Sequence, residues 1–289
     1  MTTGRNNGAD TVTAMMDLGV LAGREEHTPG LRLSQAGKCA RQSAYALHGV
    51  EKDSTIEPRL LRIFEMGDAI HDQLRRALVE AGASGRIPVT KDTEFEVTLR
   101  VYDKDNDEHL EISGHPDGVV VVTTPHEQIR EEAVLEIKSV NPTAWSYRLK
   151  DGPDKYWISQ ASCYAAALGV GWICIVAYNK GTSDIVAWLL PRDDVLVAEA
   201  ERRWLRAASS TPDCLPARDH QPGPERVGRN YSSRKVYPWE CRYCDYRARC
   251  LDGLAVEDGR KMVAITGEPP KPAEPEIGWD KVGEVMGGS

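Results

Sequence analysis

The apolar residues of this chain change period several times, and each change marks an element. Between Glu57 and Ala81, Leu60, Leu61, Phe64, Ala69, Ile70, Leu74 and Leu78 recur near helical spacing, with Gly82 as the stop. From Thr93 the period falls to two. Phe95, Val97, Leu99 and Val101 alternate with Glu94, Glu96, Thr98 and Arg100, which predicts a strand with one wet face. Asp103 to Glu108 is a charged turn, and Leu110 to Val122 predicts a second strand or hairpin pair, interrupted at Pro116. A loop over 123–132 leads to a strand over Ala133 to Val140. Helices are predicted over Thr143 to Leu149 and Lys155 to Leu168, the second closed by Gly169. Trp172 to Tyr178 and Ile185 to Leu189 read as a hairpin around Gly181, and Asp193 to Ala208 as an amphipathic helix. Nearer the start, Ser34 caps a predicted helix that carries Cys39 and ends near Leu47, with Gly49 as its stop.

Strands alternating with helices predict an α/β fold: a mixed central sheet of about four or five strands flanked by helices, with a cysteine-bound lobe. Residues 1–30 read as a flexible segment with one short helix, residues 31–255 as the folded domain with its lobe at 225–255, and residues 256–289 as a Pro/Glu-rich tail. A length of 289 residues is ample for a sizeable core. No apolar run approaches the roughly 20 residues of a membrane span, so no membrane partner is expected. Met1 to Asp10 lacks the apolar core of a signal peptide. Seven cysteines, an odd number without an export signal, point to a reducing cytoplasm rather than a disulfide framework.

The net charge of −8 does not advertise nucleic-acid binding, so local distribution decides. Residues 225–250 hold seven basic residues against three acidic ones, interleaved with Tyr231, Tyr237, Trp239, Tyr243 and Tyr246. That mixture suits single-stranded nucleic acid, and equally the packing of a small lobe.

The candidate chemistry lies between Ser113 and Tyr164. In a strand Glu136 and Lys138 share one face while Leu135 and Ile137 share the other. Asp117 immediately precedes the run Val119 to Val122, which can pair with the Glu136 strand. Two carboxylates brought together repel, and a hard divalent cation relieves the repulsion. Lys138 is then placed to hold or deprotonate a water. Gln160 and Tyr164, four apart on a helix, share a face that is otherwise the polar edge of a core helix. His71 lies on the long helix, where a histidine by itself is more often structural than a ligand. Cys241-x2-Cys244-x5-Cys250 is close enough in sequence to chelate one metal centre.

Asp117 with Glu136-x-Lys138 resembles the PD-(D/E)XK nucleases. Gly67 and His71, with Gln160-x3-Tyr164, resemble the RecB-like branch. Cys39 together with Cys241, Cys244 and Cys250 resembles its iron–sulfur members, which include CRISPR-associated exonucleases, related phage exonucleases and the nuclease domains of helicase–nucleases. The resemblance spans Cys39 to Cys250. It implies a restriction-endonuclease-like core and a metal-dependent DNA exonuclease acting at ends or on single strands. It further implies Mg²⁺ or Mn²⁺ on His71, Asp117, Glu136 and the Ile137 carbonyl, with Lys138 on the water or the phosphorane and Gln160 and Tyr164 positioning DNA or the lysine. Lys180 is a weaker candidate for a phosphate contact. Cys39, Cys241, Cys244 and Cys250 would hold a [4Fe–4S] cluster, with zinc as the alternative metal and Cys214 as the rival fourth ligand. Cys163 and Cys174 read as core. The other readings are a nonspecific endonuclease of the same superfamily, and a non-catalytic DNA-end-binding adaptor with structural zinc. A homo-oligomer or a protein partner is compatible with all three.

Overall fold

The computed structural model describes residues 7–22, 29–53, 57–124, 130–259 and 261–265. The chain forms two compact units, Met1–Asp219 and His220–Ser289.

The first unit runs α1 (Asn7–Ala22), α2 (Ala40–Leu47), α3 (Pro58–Glu80), β1 (Gly85–Arg86), β2 (Val97–Asp103), β3 (Glu108–Gly114), β4 (Gly118–Thr123), β5 (Arg130–Val140), α4 (Pro142–Asp151), α5 (Lys155–Leu168), β6 (Trp172–Asn179), β7 (Ile185–Pro191) and α6 (Asp194–Ala208). Five strands make a mixed sheet in the order β1-β4-β5-β6-β7, in which only β5 and β6 run parallel. The parallel step needs a long crossover, which α4 and α5 provide. The expected α/β architecture, a mixed central sheet flanked by helices, is therefore present.

Alternation along β5 sends its side chains into two cores. Val134 joins Ile173, Ile175, Cys163 and Tyr164 of the α5 side, with Val97, Leu99 and Ile112 of β2 and β3. Leu135 and Ile137 join Val120 and Ala133 on the other face, against Leu74 and Leu78 of α3. Cys163 is fully buried and Cys174 packs against the second cluster, as expected of core cysteines.

Some boundaries differ from the sequence reading. The segment from Leu110 to Val122 divides between two sheets: β3 pairs with β2 as a separate ribbon, while β4 enters the main sheet. Ser34 does not cap a helix to Leu47. Residues Leu33–Gln35 form a 3₁₀ turn, Gly37 then adopts φ +86°, and α2 starts only at Ala40. A left-handed residue interrupts a right-handed helix, so the cap passes to Cys39, whose Sγ accepts the Gln42 N–H at 3.3 Å. At the N-terminus α1 is a 16-residue helix whose Asp17 pairs with Arg62 of α3.

Asp219 ties the end of the first unit back to α2. Its Oδ2 accepts the Ala40 N–H at 2.7 Å and its Oδ1 accepts Arg206 Nη1 at 2.6 Å. Burial works to raise its pKa, but the Ala40 bond and Arg206 outweigh it and hold the carboxyl below its ordinary value of 3.8. A depressed folded-state pKa contributes stability that is present above the unfolded value and lost as pH falls through the folded one. Asp219→Asn is therefore expected to cost about 1 kcal/mol at pH 7, the worth of a helix-terminal carboxylate. The gap to wild type should narrow on acidification below 3.8. Thermal melts of the two proteins across that range check this, and equal melting at pH 7 would refute it.

The second unit runs β8 (Gly223–Val227), β9 (Asn230–Val236), α7 (Trp239–Arg242), α8 (Arg247–Cys250), β10 (Ala255–Asp258) and β11 (Lys261–Ala264). Its sheet has the order β10-β11-β9-β8, and Tyr237, Leu251 and Met262 form its core with Cys241 packed against them. The long loop read over Pro212 to Gly228 thus contains a strand. Residues 256–258 and 261–264, read as part of the tail, belong to the paired strands β10 and β11. The remainder of that tail, 266–289, lies outside the described residues, as does 125–129 within the predicted loop before β5.

Candidate active site

The β4–β5 register assembles the site. Gly118 is opposite Leu135, so Asp117, one step before β4, arrives beside Glu136 and Ile137. β5 continues past the end of β4, which leaves its outer edge without a strand partner there. The Ile137 N–H on that edge donates instead to Asp117 Oδ2 at 2.7 Å. A strand residue's N–H and C=O leave on the same edge, so the Ile137 carbonyl faces the same side. Asp117 Oδ1 takes His71 Nδ1 at 2.8 Å.

His71 arrives on α3, which packs against β5 next to Gly67. A Cβ at Gly67 would lie 3.6 Å from Ser139 Oγ, an ordinary contact. Gly67→Ala is accordingly expected to keep the fold and to raise stability by about 0.5–1 kcal/mol, the helix-propensity difference. Gly67→Leu should push α3 off β5 and weaken the His71–Asp117 contact. Chemical denaturation of both variants tests the pair; a stable leucine variant with an unperturbed histidine titration would count against it.

Lys138 shares the face of Glu136, as strand alternation requires. Its Nζ is 2.5 Å from Glu136 Oε1 and donates to Gln160 Oε1 of α5 at 3.1 Å. Tyr164, one turn further along α5, hydrogen-bonds Gln160 and is 1% exposed. Its ring lies against Gly114, where a Cβ would sit 3.0 Å from Tyr164 Cε1. Tyr164 therefore backs Gln160 from the core and does not reach solvent. The side chains of His71 and Lys138 are 23% and 25% exposed, against 2% for Glu136. The carboxylates form the floor, and the imidazole and the ammonium the rim.

Burial alone lowers the His71 pKa, but the hydrogen bond and charge of Asp117 reverse this, and the net shift is upward. Burial likewise raises Asp117, yet His71 and the Ile137 N–H bring it below the ordinary carboxylate value. For Glu136 burial prevails and the pKa rises, with the Asp117 charge adding to it. Burial disfavours the Lys138 charge, and Glu136 more than compensates, so Lys138 remains an ammonium.

A buried arginine beside the site was not singled out from the sequence. Arg75, 2% exposed and one turn after His71 on the same face of α3, donates to Asp72 at 2.6 Å and to Glu94 at 3.0 Å. The Asp117 charge also favours its ionised form. The spacing His71-x3-Arg75 was the available signal, but periodicity does not report which helical cation loses its water.

Lys180 follows β6, and its N–H donates to the Val140 carbonyl at the end of β5 at 2.9 Å. Cys39 caps α2 in the first unit. In the second unit Cys241 lies in α7 and Cys250 in α8, and the Cys244 N–H donates to the Cys241 carbonyl at 3.3 Å. Cys214 is exposed. Among the described residues, no three His, Cys, Asp or Glu side chains are gathered into a ready-made metal cage.

The sequence matches no protein-family model and no curated protein. Among solved structures, the chain is similar to SSO0001, with 14% identity and a TM-score of 0.49 over 83% of this chain and 96% of that one. It is also similar to the alkaline exonuclease LHK-Exo from Laribacter hongkongensis, with 20% identity and a TM-score of 0.40 over 66% and 91% of the two chains. LHK-Exo in complex with dAMP gives 18% identity and a TM-score of 0.32 over 61% and 89%. At such distances the chemistry of the site has to be read from its own residues.

Proposed function

We propose that this protein is a metal-dependent deoxyribonuclease, acting as an exonuclease at DNA ends or on single strands. The observation that carries the reading is the β4–β5 register, which sets Asp117 beside Glu136 and Lys138 and within reach of His71. The donor set suits Mg²⁺ or Mn²⁺: two carboxylates, an imidazole and the strand-edge carbonyl of Ile137. Asp117 contacts His71 and Glu136 contacts Lys138, and a divalent ion would be held by the two carboxylates with His71 and the Ile137 carbonyl. When bound, the ion supplies Lewis-acid polarisation of the phosphate and a more acidic water.

The remaining roles belong to the chain. Lys138, kept as an ammonium by Glu136 and oriented by Gln160, donates to the attacking water or to the phosphoryl oxygens as their charge grows. It is a donor and not a base. Gln160 fixes the lysine, and Tyr164 fixes Gln160 from the core. His71 positions Asp117 and is a ligand in its own right. We also propose that Cys39, Cys241, Cys244 and Cys250 hold a [4Fe–4S] cluster, with zinc as the alternative; the support is their spacing in the sequence.

The test is purified protein, kept anaerobic, with linear DNA labelled at either end and Mg²⁺ or Mn²⁺. Progressive release of label as mononucleotides, abolished by a chelator, is expected. Equal cutting of circular DNA would replace the exonuclease reading by an endonuclease. Absence of metal-dependent cleavage would leave a DNA-binding protein.

A further inference from the structure

The β8–β9 hairpin of the second unit carries its charges unequally on its two faces. Its turn is the pair Gly228-Arg229 between the partners Val227 and Asn230, with Gly228 at φ +61°. Residues opposite each other in antiparallel strands share a face. Arg226 lies opposite Tyr231 and shares its face, while Lys235, opposite Pro224, follows on β9 beyond a register shift between Pro224 and Arg226. The other face holds Glu225 with Ser232 and Arg234. There the cations are neutralised: Lys261 pairs with Glu225, and Arg234 pairs with Asp258 and lies 3.8 Å from Glu225. On the first face Arg226 donates, among the described residues, to the Gly228 carbonyl at 3.2 Å. Neither it, nor Arg229 at the turn, nor Lys235 has a carboxylate partner among the described residues. Tyr231, among them, is 69% exposed. β11 meets β9 at Val236, so Asn230 to Lys235 extend beyond the sheet as a two-stranded ribbon.

A tyrosine ring held in water adds little to folding, and three uncompensated cations repel one another. A polyanion that also offers flat apolar rings relieves both. We propose that this face binds single-stranded nucleic acid, with a base stacked on Tyr231 and phosphates on Arg226, Arg229 and Lys235. The single strand is chosen over a duplex because stacking on a side chain needs an unpaired base. The inference deepens the nuclease reading and rests on it for the choice of DNA; the binding itself requires no catalysis.

The experiment is fluorescence anisotropy of the full chain with a labelled oligothymidine in excess chelator. Tyr231→Ala should weaken binding about tenfold, while Tyr231→Phe retains it. Arg226→Ala and Lys235→Ala should each reduce the slope of log affinity against log salt by about 0.7. Wild-type affinity in Tyr231→Ala, or equally tight binding of an abasic strand of the same length, would overturn the proposal in favour of a plain polyanion contact. No binding by the wild type would overturn it outright. None of these outcomes depends on metal-dependent cleavage, so loss of the hairpin proposal and loss of the nuclease reading remain distinguishable.

Discussion

Lys138→Met is expected to lower DNA hydrolysis by about a thousand-fold, the scale of removing one well-placed donor to a developing anion. The same change should destabilise the protein. Glu136 is 1% exposed and Lys138 is its ion-pair partner, so deleting the lysine leaves an uncompensated buried carboxylate at a cost of about 3 kcal/mol. Loss of activity alone would therefore not separate a chemical role from partial unfolding. The double variant Glu136→Gln with Lys138→Met removes the stranded charge and should recover most of the melting temperature while remaining inactive. Asp117→Asn should also be inactive and lose metal affinity by calorimetry. Near-normal turnover in Lys138→Met would end the role assigned to it. A double variant as unstable as the single would show that the ion pair is not what holds Glu136 in place.

If the proposed cluster is held by Cys39, Cys241, Cys244 and Cys250, protein purified without oxygen is expected to be brown and to contain iron and sulfide. Changing any of the four to Ala should remove the colour, whereas Cys163→Ala and Cys174→Ala should keep it. Cys163 is fully buried, and burial pushes its thiol up to about 12, which disfavours the thiolate that a metal requires. Stoichiometric zinc without iron would replace the cluster and leave the nuclease proposal untouched. A coloured Cys39→Ala with a colourless Cys214→Ala would move the fourth ligand to the 212–222 segment.

The local elements were legible because their causes are local. Helix α5 begins where Asp154 caps it and ends where Gly169 turns left-handed, at φ +69°. Strand β2 buries Val97, Leu99 and Val101 in strict alternation. The shared face of Glu136 and Lys138 follows from strand geometry alone. What the sequence left open was decided by contacts between distant segments. Asp117 and Ile137 are separated by 20 positions, and only the pairing of β4 with β5 makes them neighbours. The same pairing decided that β3 and β4, adjacent in sequence across Pro116, join different sheets. The burial of Arg75 and the charge asymmetry of the β8–β9 ribbon likewise depend on what packs or fails to pack against them. By itself, then, the sequence determined the periods, the caps and the order of the chemical groups. The tertiary structure determined which of those groups meet and which lose their water, because desolvation and strand register are properties of the whole packed chain.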